Sequence, residues 1–244
     1  AYGSPLAFLD APKEKIIKSI QRTSRFGPAY AQSKCQAIHK AAGDALVFGH
    51  SVPSNFKRMR RFIHAIRQYD QQIAAVLSDL HELVDAHEGT KPVEQIRLIE
   101  SYPGAGFLSA VSLIAEIGDF SAFQSPKQLF AYLGLDPAVK KSGKWEGTKT
   151  SMSKRGSSIA RRVIHTMAIQ GIRRSRDGSA SNPVLRDYYE QKCLSKPKKV
   201  ALGAVMHKVC NIVFAILRDE TPYRVITPEE HRQNYLKAKC GIAA

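Results

Sequence analysis

Three serines, Ser142, Ser151 and Ser153, stand within twelve residues of one another among Lys140, Lys141, Lys144, Lys149, Lys154 and Arg155, with Arg161 and Arg162 close behind. A serine hydroxyl is a weak nucleophile at its free pKa, but fixed cations stabilise its oxyanion and the crowded negative charge of a phosphoryl-transfer transition state. The chemistry open to such a loop is attack on a phosphodiester. The same composition also suits a plain solvated loop, and residue types alone do not separate the two readings. The surroundings favour a polyanion: sixteen lysines and arginines fall between residues 139 and 199 against only Glu146, Asp177, Asp187 and Glu190. Nucleic acid repays such clustering because each neutralised phosphate releases condensed counterions.

Ahead of that loop lies Tyr102-Pro103-Gly104-Ala105-Gly106, a turn signal between two apolar tracts. In a helix-hairpin-helix the glycines let the chain reverse with amide hydrogens facing outward, and the N-terminal end of the second helix adds positive potential at the same place. Gly104 and Gly106 fit those roles. The turn and the loop are expected to form one surface that grips a strand and holds a hydroxyl against it. Arg161, Arg162, Arg173, Arg174 and Arg176 cannot all face one way on a helix, so only some of them meet phosphates.

The remaining candidates are weaker. His64, His81 and His87 lie on or just beyond a long helix, where solvated or interface histidines prevail. Glu116 and Asp119 read as the capped end of a helix, not as an acid pair. Cys35, Cys193, Cys210 and Cys240 are scattered without a CxxC pair or nearby histidine spacing, so neither a zinc site nor a disulfide framework is expected. No metal site is expected in this chain.

These residues need elements to position them. The chain has 244 residues, 43% of them hydrophobic, and a formal net charge of +16, enough apolar material for at least one core and too basic to ignore polyanions. No uncharged run reaches the ~20 residues of a bilayer span, so a cytoplasmic protein without a membrane partner is expected. Residues 1–54 read as a helical linker, with helices over Lys13 to Ile20 and Ala29 to Leu46 broken at Gly27-Pro28. Residues 55–90 read as a coiled coil: Met59, Ile63, Ile66, Asp70, Ile73, Leu77, Leu80 and Val84 alternate spacings of four and three, flanked by Phe62, Tyr69, Val76 and Leu83. A long helix packed inside its own domain is the alternative. Residues 93–244 read as a helix-hairpin-helix domain, with helices at Phe107 to Ile117, Lys127 to Leu133, Ser157 to Ile172, Val184 to Cys193 and Val200 to Leu217. The polar connector 135–156 carries the serines. A mainly α fold is the expectation.

Seven ordered landmarks carry a resemblance: Pro103-Gly104-Ala105-Gly106; Ala115 to Asp119; Phe123 to Leu129; Tyr132 to Pro137; Ser142-Gly143; Ser153-Lys154-Arg155-Gly156 with Arg161-Arg162; and Ala215 to Asp219 with Pro222-Tyr223. The run resembles the C-terminal part of insertion-sequence one-ten family transposases, the Piv/MooV-like DEDD recombinases. The resemblance implies a two-part DNA recombinase. An N-terminal RuvC-like domain would hold Mg²⁺ on four carboxylates, and the C-terminal domain would supply a serine nucleophile that falls on Ser142, with Ser151 and Ser153 as alternatives. DNA, a structured guide RNA of the bridge type, and further copies of the chain in a dimer or tetramer through the coiled coil are the implied partners. The chain opens at Ala1 and is expected to be a fragment that binds DNA without cutting it, with no cofactor of its own. A non-catalytic helix-hairpin-helix nucleic-acid-binding module is the alternative, and a coiled-coil scaffold of incidental basicity the third.

Overall fold

A computed structural model describes residues 4–24, 26–48, 53–138, 141–142, 145–146 and 151–239. It is mainly α and divides into two compact units, residues 1–80 and 81–244.

In the first unit, α1 (Pro5–Leu9), α2 (Lys13–Thr23) and α3 (Pro28–Val47) precede α4 (Pro53–Ala86), which continues past residue 80. Ser4 caps α1 by accepting from the Ala7 amide, and Pro28 opens α3 at a position where the missing N–H costs nothing. Ile16, Ala31, Cys35 and Ala42 are buried where α1 and α2 lie along α3. Helix α4 differs. Met59, Phe62, Ile63, Ile66, Tyr69, Ile73 and Val76 are all exposed, so the predicted heptad face stands uncovered.

The second unit holds the larger core. Helices α5 (Lys91–Glu100), α6 (Phe107–Ile117), α7 (Pro126–Tyr132), α8 (Ser158–Ile172), α9 (Pro183–Cys193) and α10 (Lys198–Asp219) enclose it, and α11 (Pro228–Lys239) packs on α9. Short strands β1 (Lys141–Ser142) and β2 (Trp145–Glu146) pair antiparallel between α7 and α8. Helix α10 is long and apolar enough to cross a membrane. Here it serves as the core helix: Val205, Val209, Cys210, Val213, Phe214 and Leu217 are buried, and α5, α7, α8 and α9 pack around it. Burial pushes the Cys210 thiol up to about 12, as befits an inert core cysteine.

The helix ends follow local chemistry. Ser125 caps α7 by accepting from the Gln128 amide, with Pro126 at the first helical position, as its sequence predicts. Helix α6 stops at Gly118, whose φ of 66° a side chain would resist, and Asp119 caps the 3-10 turn that follows through the Ser121 amide. Within the second unit, which begins at His81, Val84 joins the core and the His81 ring stacks on Phe107 at 3.6 Å.

Candidate nucleic-acid interface

The serine-bearing connector leaves α7 through a backbone-on-backbone contact. Gly134 has a φ of 66°, and a Cβ there would lie 2.4 Å from the Gly156 nitrogen. A Cβ on Gly156 would lie 1.9 Å from the Tyr132 carbonyl oxygen. Both positions therefore need glycine, and together they close the loop at its base. Above them the two arms pair: Lys154 N–H donates to Gly134 O at 3.0 Å, Ser153 N–H to Asp136 O at 2.7 Å, and Ala138 N–H to Ser151 O at 2.7 Å. The Ser153 hydroxyl adds a bond to the Asp136 carboxylate.

Arg161 completes the clamp. From the first turn of α8 its guanidinium donates to Gly156 O at 2.5 Å and reaches Leu133 O at 3.4 Å. Ser157, just before it, caps the helix by accepting from the Ile159 and Ala160 amides. A charge-assisted bond to two otherwise idle carbonyls suits a planar guanidinium.

The predicted residues thus separate by role. Ser142 lies on β1, where the backbone is described but the side chain is not, and the same holds for Lys141. Lys140, Lys144 and Lys149 lie outside the described residues. Ser151 is exposed, and Ser153 is half-buried with its hydroxyl engaged by Asp136. Lys154, at a φ of 57°, is exposed together with Arg155 and Arg162, and none of the three has an acidic partner among the described residues. Arg161 is half-buried and engaged by protein carbonyls.

The turn between α5 and α6 is placed elsewhere. Ala105 N–H donates to Tyr102 O at 2.9 Å, with Pro103 next and Gly104 at a φ of 103°, the arrangement of a type II turn. A Cβ on Gly104 would lie 2.4 Å from Gln170 Cβ, so the turn is seated on the last part of α8. From Ser158 to Gln170 a helix rises about 18 Å at ~1.5 Å per residue. The base of the serine loop thus sits at the start of α8 and the Gly104 turn near its end. Gly104 and Gly106 are both exposed, and neither amide has a protein acceptor among the described residues.

Residues to which sequence reasoning assigned no structural role hold this end together. Tyr102, fully buried, donates to Met167 O at 3.3 Å and packs on Tyr223, and burial raises its phenol pKa well above the usual value. Tyr223 receives a bond from Asn182 Nδ2 at 2.6 Å, while its own N–H donates to Ser101 Oγ at 2.7 Å. Asn182, buried completely, also caps α9 through the Leu185 amide. The cue was an Asn-Pro at a helix start, where Asn is a preferred cap. Gln170, by contrast, carries no sequence signal.

Among the described residues no three His, Cys, Asp or Glu side chains converge to hold a metal ion. The Mg²⁺ implied by the resemblance finds no seat on them.

Residues 96–190 match the model of the family described as "Transposase IS116/IS110/IS902 family". Over 93% of its length the chain is 24% identical to the IS110 uncharacterized 43.6 kDa protein of Streptomyces coelicolor, covering 52% of that protein. It is 27% identical to the transposase for insertion sequence element IS1111A of Coxiella burnetii, over 66% of this chain and 39% of the relative. It is also 30% identical to the pilin gene-inverting protein of Moraxella bovis, over 68% of this chain and 47% of the relative. The chain thus spans about half the length of these relatives or less.

Proposed function

We propose, from the premise that this chain belongs to the IS116/IS110/IS902 family of transposases, that it supplies the DNA-binding and serine-nucleophile part of a site-specific recombinase. In that reading the Ser142 hydroxyl gives up its proton as its oxygen bonds to a DNA phosphorus, one P–O ester bond breaks, and the departing sugar oxygen takes up a proton in its place. The product is a phosphoserine link that a second strand end can attack.

The observation that carries the reading is the support beneath the loop. The Gly134–Gly156 contact, the Arg161 clamp and the Ser153–Asp136 bond immobilise its base, while Lys154, Arg155 and Arg162 remain exposed without acidic partners among the described residues. A fixed base beside mobile-length cations is what positioning a hydroxyl against a phosphodiester requires. Ser153 suits a structural role better than a nucleophilic one, since its hydroxyl already donates to Asp136. Ser151 has no such engagement and stays the nearer alternative to Ser142.

Assembly belongs to the same proposal. The face of Met59, Ile63, Ile66 and Ile73 is uncovered over α4, and its heptad spacing fits a second copy of the chain. A structured guide RNA of the bridge type follows from the family resemblance and fits the net charge of +16.

Adduct trapping tests the chemistry. Full-length recombinase containing this chain, incubated with end-labelled DNA and resolved on a denaturing gel, should show a protein-linked DNA band that Ser142→Ala abolishes and Ser153→Ala retains. An adduct that survives in Ser142→Ala but vanishes in Ser151→Ala transfers the role to Ser151. No adduct from any version, with DNA binding intact, favours the non-catalytic binding module.

A further inference from the structure

A second basic feature lies at the far end of α8. After Ile172 the chain runs Arg173-Arg174-Ser175-Arg176-Asp177-Gly178-Ser179-Ala180-Ser181 and folds into a small hairpin. Ser181 N–H donates to Arg173 O at 3.0 Å, Ser175 N–H to Ser179 O at 2.7 Å, and Arg174 pairs with Ala180. Gly178, at a φ of 86°, makes the reversal, and Asp177 steadies it by accepting from the Ser179 amide and hydroxyl at 3.1 and 2.8 Å. Between this hairpin and the Pro103-Gly104 turn opens a cleft of about 390 Å³, floored by Gln170 and walled by Arg173, Arg174, Arg176, Ser175 and Ser181.

The charge in the cleft is one-sided. Three arginines line it and no acid does. Arg174 is drawn off to Glu190 at 2.8 Å, a carboxylate that Arg186 also holds at 2.7 Å. Arg173 and Arg176 are exposed and have no acidic partner among the described residues. Two free guanidiniums, serine side chains and the unaccepted Gly104 amide make a donor set with nothing inside the protein to receive it. Exposed guanidiniums without a carboxylate partner are open to an external anion, and a phosphate can be held by two of them at once. The volume, roughly a dozen waters at ~30 Å³ each, accommodates one sugar-phosphate unit.

We propose that this cleft is a phosphodiester-binding site, in which Arg173 and Arg176 take the phosphate oxygens and the Gly104 amide donates to the same group. The inference rests on the nucleic-acid reading above and deepens it by adding a backbone contact about 18 Å along α8 from the serine loop. Backbone contacts fix register and carry no sequence information, so the site positions a strand and does not select it. At ~3.4 Å per nucleotide the spacing matches about five steps along one strand.

The test is the salt dependence of binding by the full chain, measured on duplex DNA and on duplex RNA, for the wild type, Arg173→Gln/Arg176→Gln and a control, Lys196→Gln/Lys199→Gln. Both pairs are exposed, so folding is preserved, and far-UV circular dichroism verifies it. The cleft pair should lower the slope of log K against log [salt] by about 0.9, the value for one phosphate contact, and weaken binding equally for unrelated sequences, while the control pair changes the slope far less. A reduction on RNA alone would support the cleft and assign it to an RNA strand. An unchanged slope on both nucleic acids, or an equal effect of the control pair, overturns the cleft and leaves the broader reading standing. A wild-type chain that binds neither nucleic acid overturns both.

Discussion

Gly156 shows how much one missing methyl decides. Its hypothetical Cβ would sit 1.9 Å from the Tyr132 oxygen and 2.6 Å from the Leu133 carbonyl carbon, both backbone atoms that cannot swing aside. Gly156→Ala should therefore cost about 1–3 kcal/mol of stability or detach the serine loop from α7, as overpacking does, and urea denaturation will read the loss. Arg161 and Arg155 should behave oppositely although both are arginines of one motif. Arg161→Met leaves two carbonyls without their charged donor and should cost about 1.5–3 kcal/mol, with little change in the salt slope of DNA binding. Arg155→Gln should leave stability within about 0.5 kcal/mol and lower that slope by about 0.9. His207 makes a different forecast. Burial, aided by Lys208, holds its pKa below 6.5, and its ring meets Phe130 edge-on at 4.5 Å. The unfolded chain then binds the proton first, so stability from this group is complete above about pH 6.5 and falls as pH drops through the folded value. Thermal melts between pH 7 and pH 5 should show that decline flattened in His207→Gln.

Helix α4 carries a face that nothing among the described residues covers. Eight large apolar side chains, from Met59 to Leu83, stand exposed along it at heptad spacing, an arrangement that water penalises unless a partner covers it. Ile66→Glu with Ile73→Glu should shift the chain toward monomer in sedimentation equilibrium, and Asp70→Leu should tighten association by removing a charge from the seam. Such elements were legible in the sequence because their signals are local. Heptad spacing gave α4, Ser-Pro gave the start of α7, and Gly27-Pro28 gave the break before α3. What was not legible is long-range. Gln170 beneath the Gly104 turn, Asn182 beneath Tyr223 and the Arg161 clamp each join residues far apart in the chain, and no composition or period records such a pairing. The separation of the Gly104 turn from the serine loop along α8 was hidden for the same reason.

At the scale of the molecule, charge is distributed in a way that local packing does not demand. The core of the second unit is closed by α5 through α10 without help from the exposed Lys154, Arg155, Arg162, Arg173 and Arg176, and removing any of them leaves that core untouched. These cations lie toward both ends of α8, a rigid ruler about 22 Å long at ~1.5 Å per residue. A strand laid along it would meet positive charge at each end and, at the start, the loop that carries Ser142. The account therefore stands on polyelectrolyte binding by many simultaneous phosphate contacts. Its most direct test is a titration of labelled duplex DNA with the full chain from roughly 50 to 200 mM salt. Six or more contacts predict a slope of about −5 in log K against log [salt]. A slope near zero, or binding that does not weaken across that range, would contradict it.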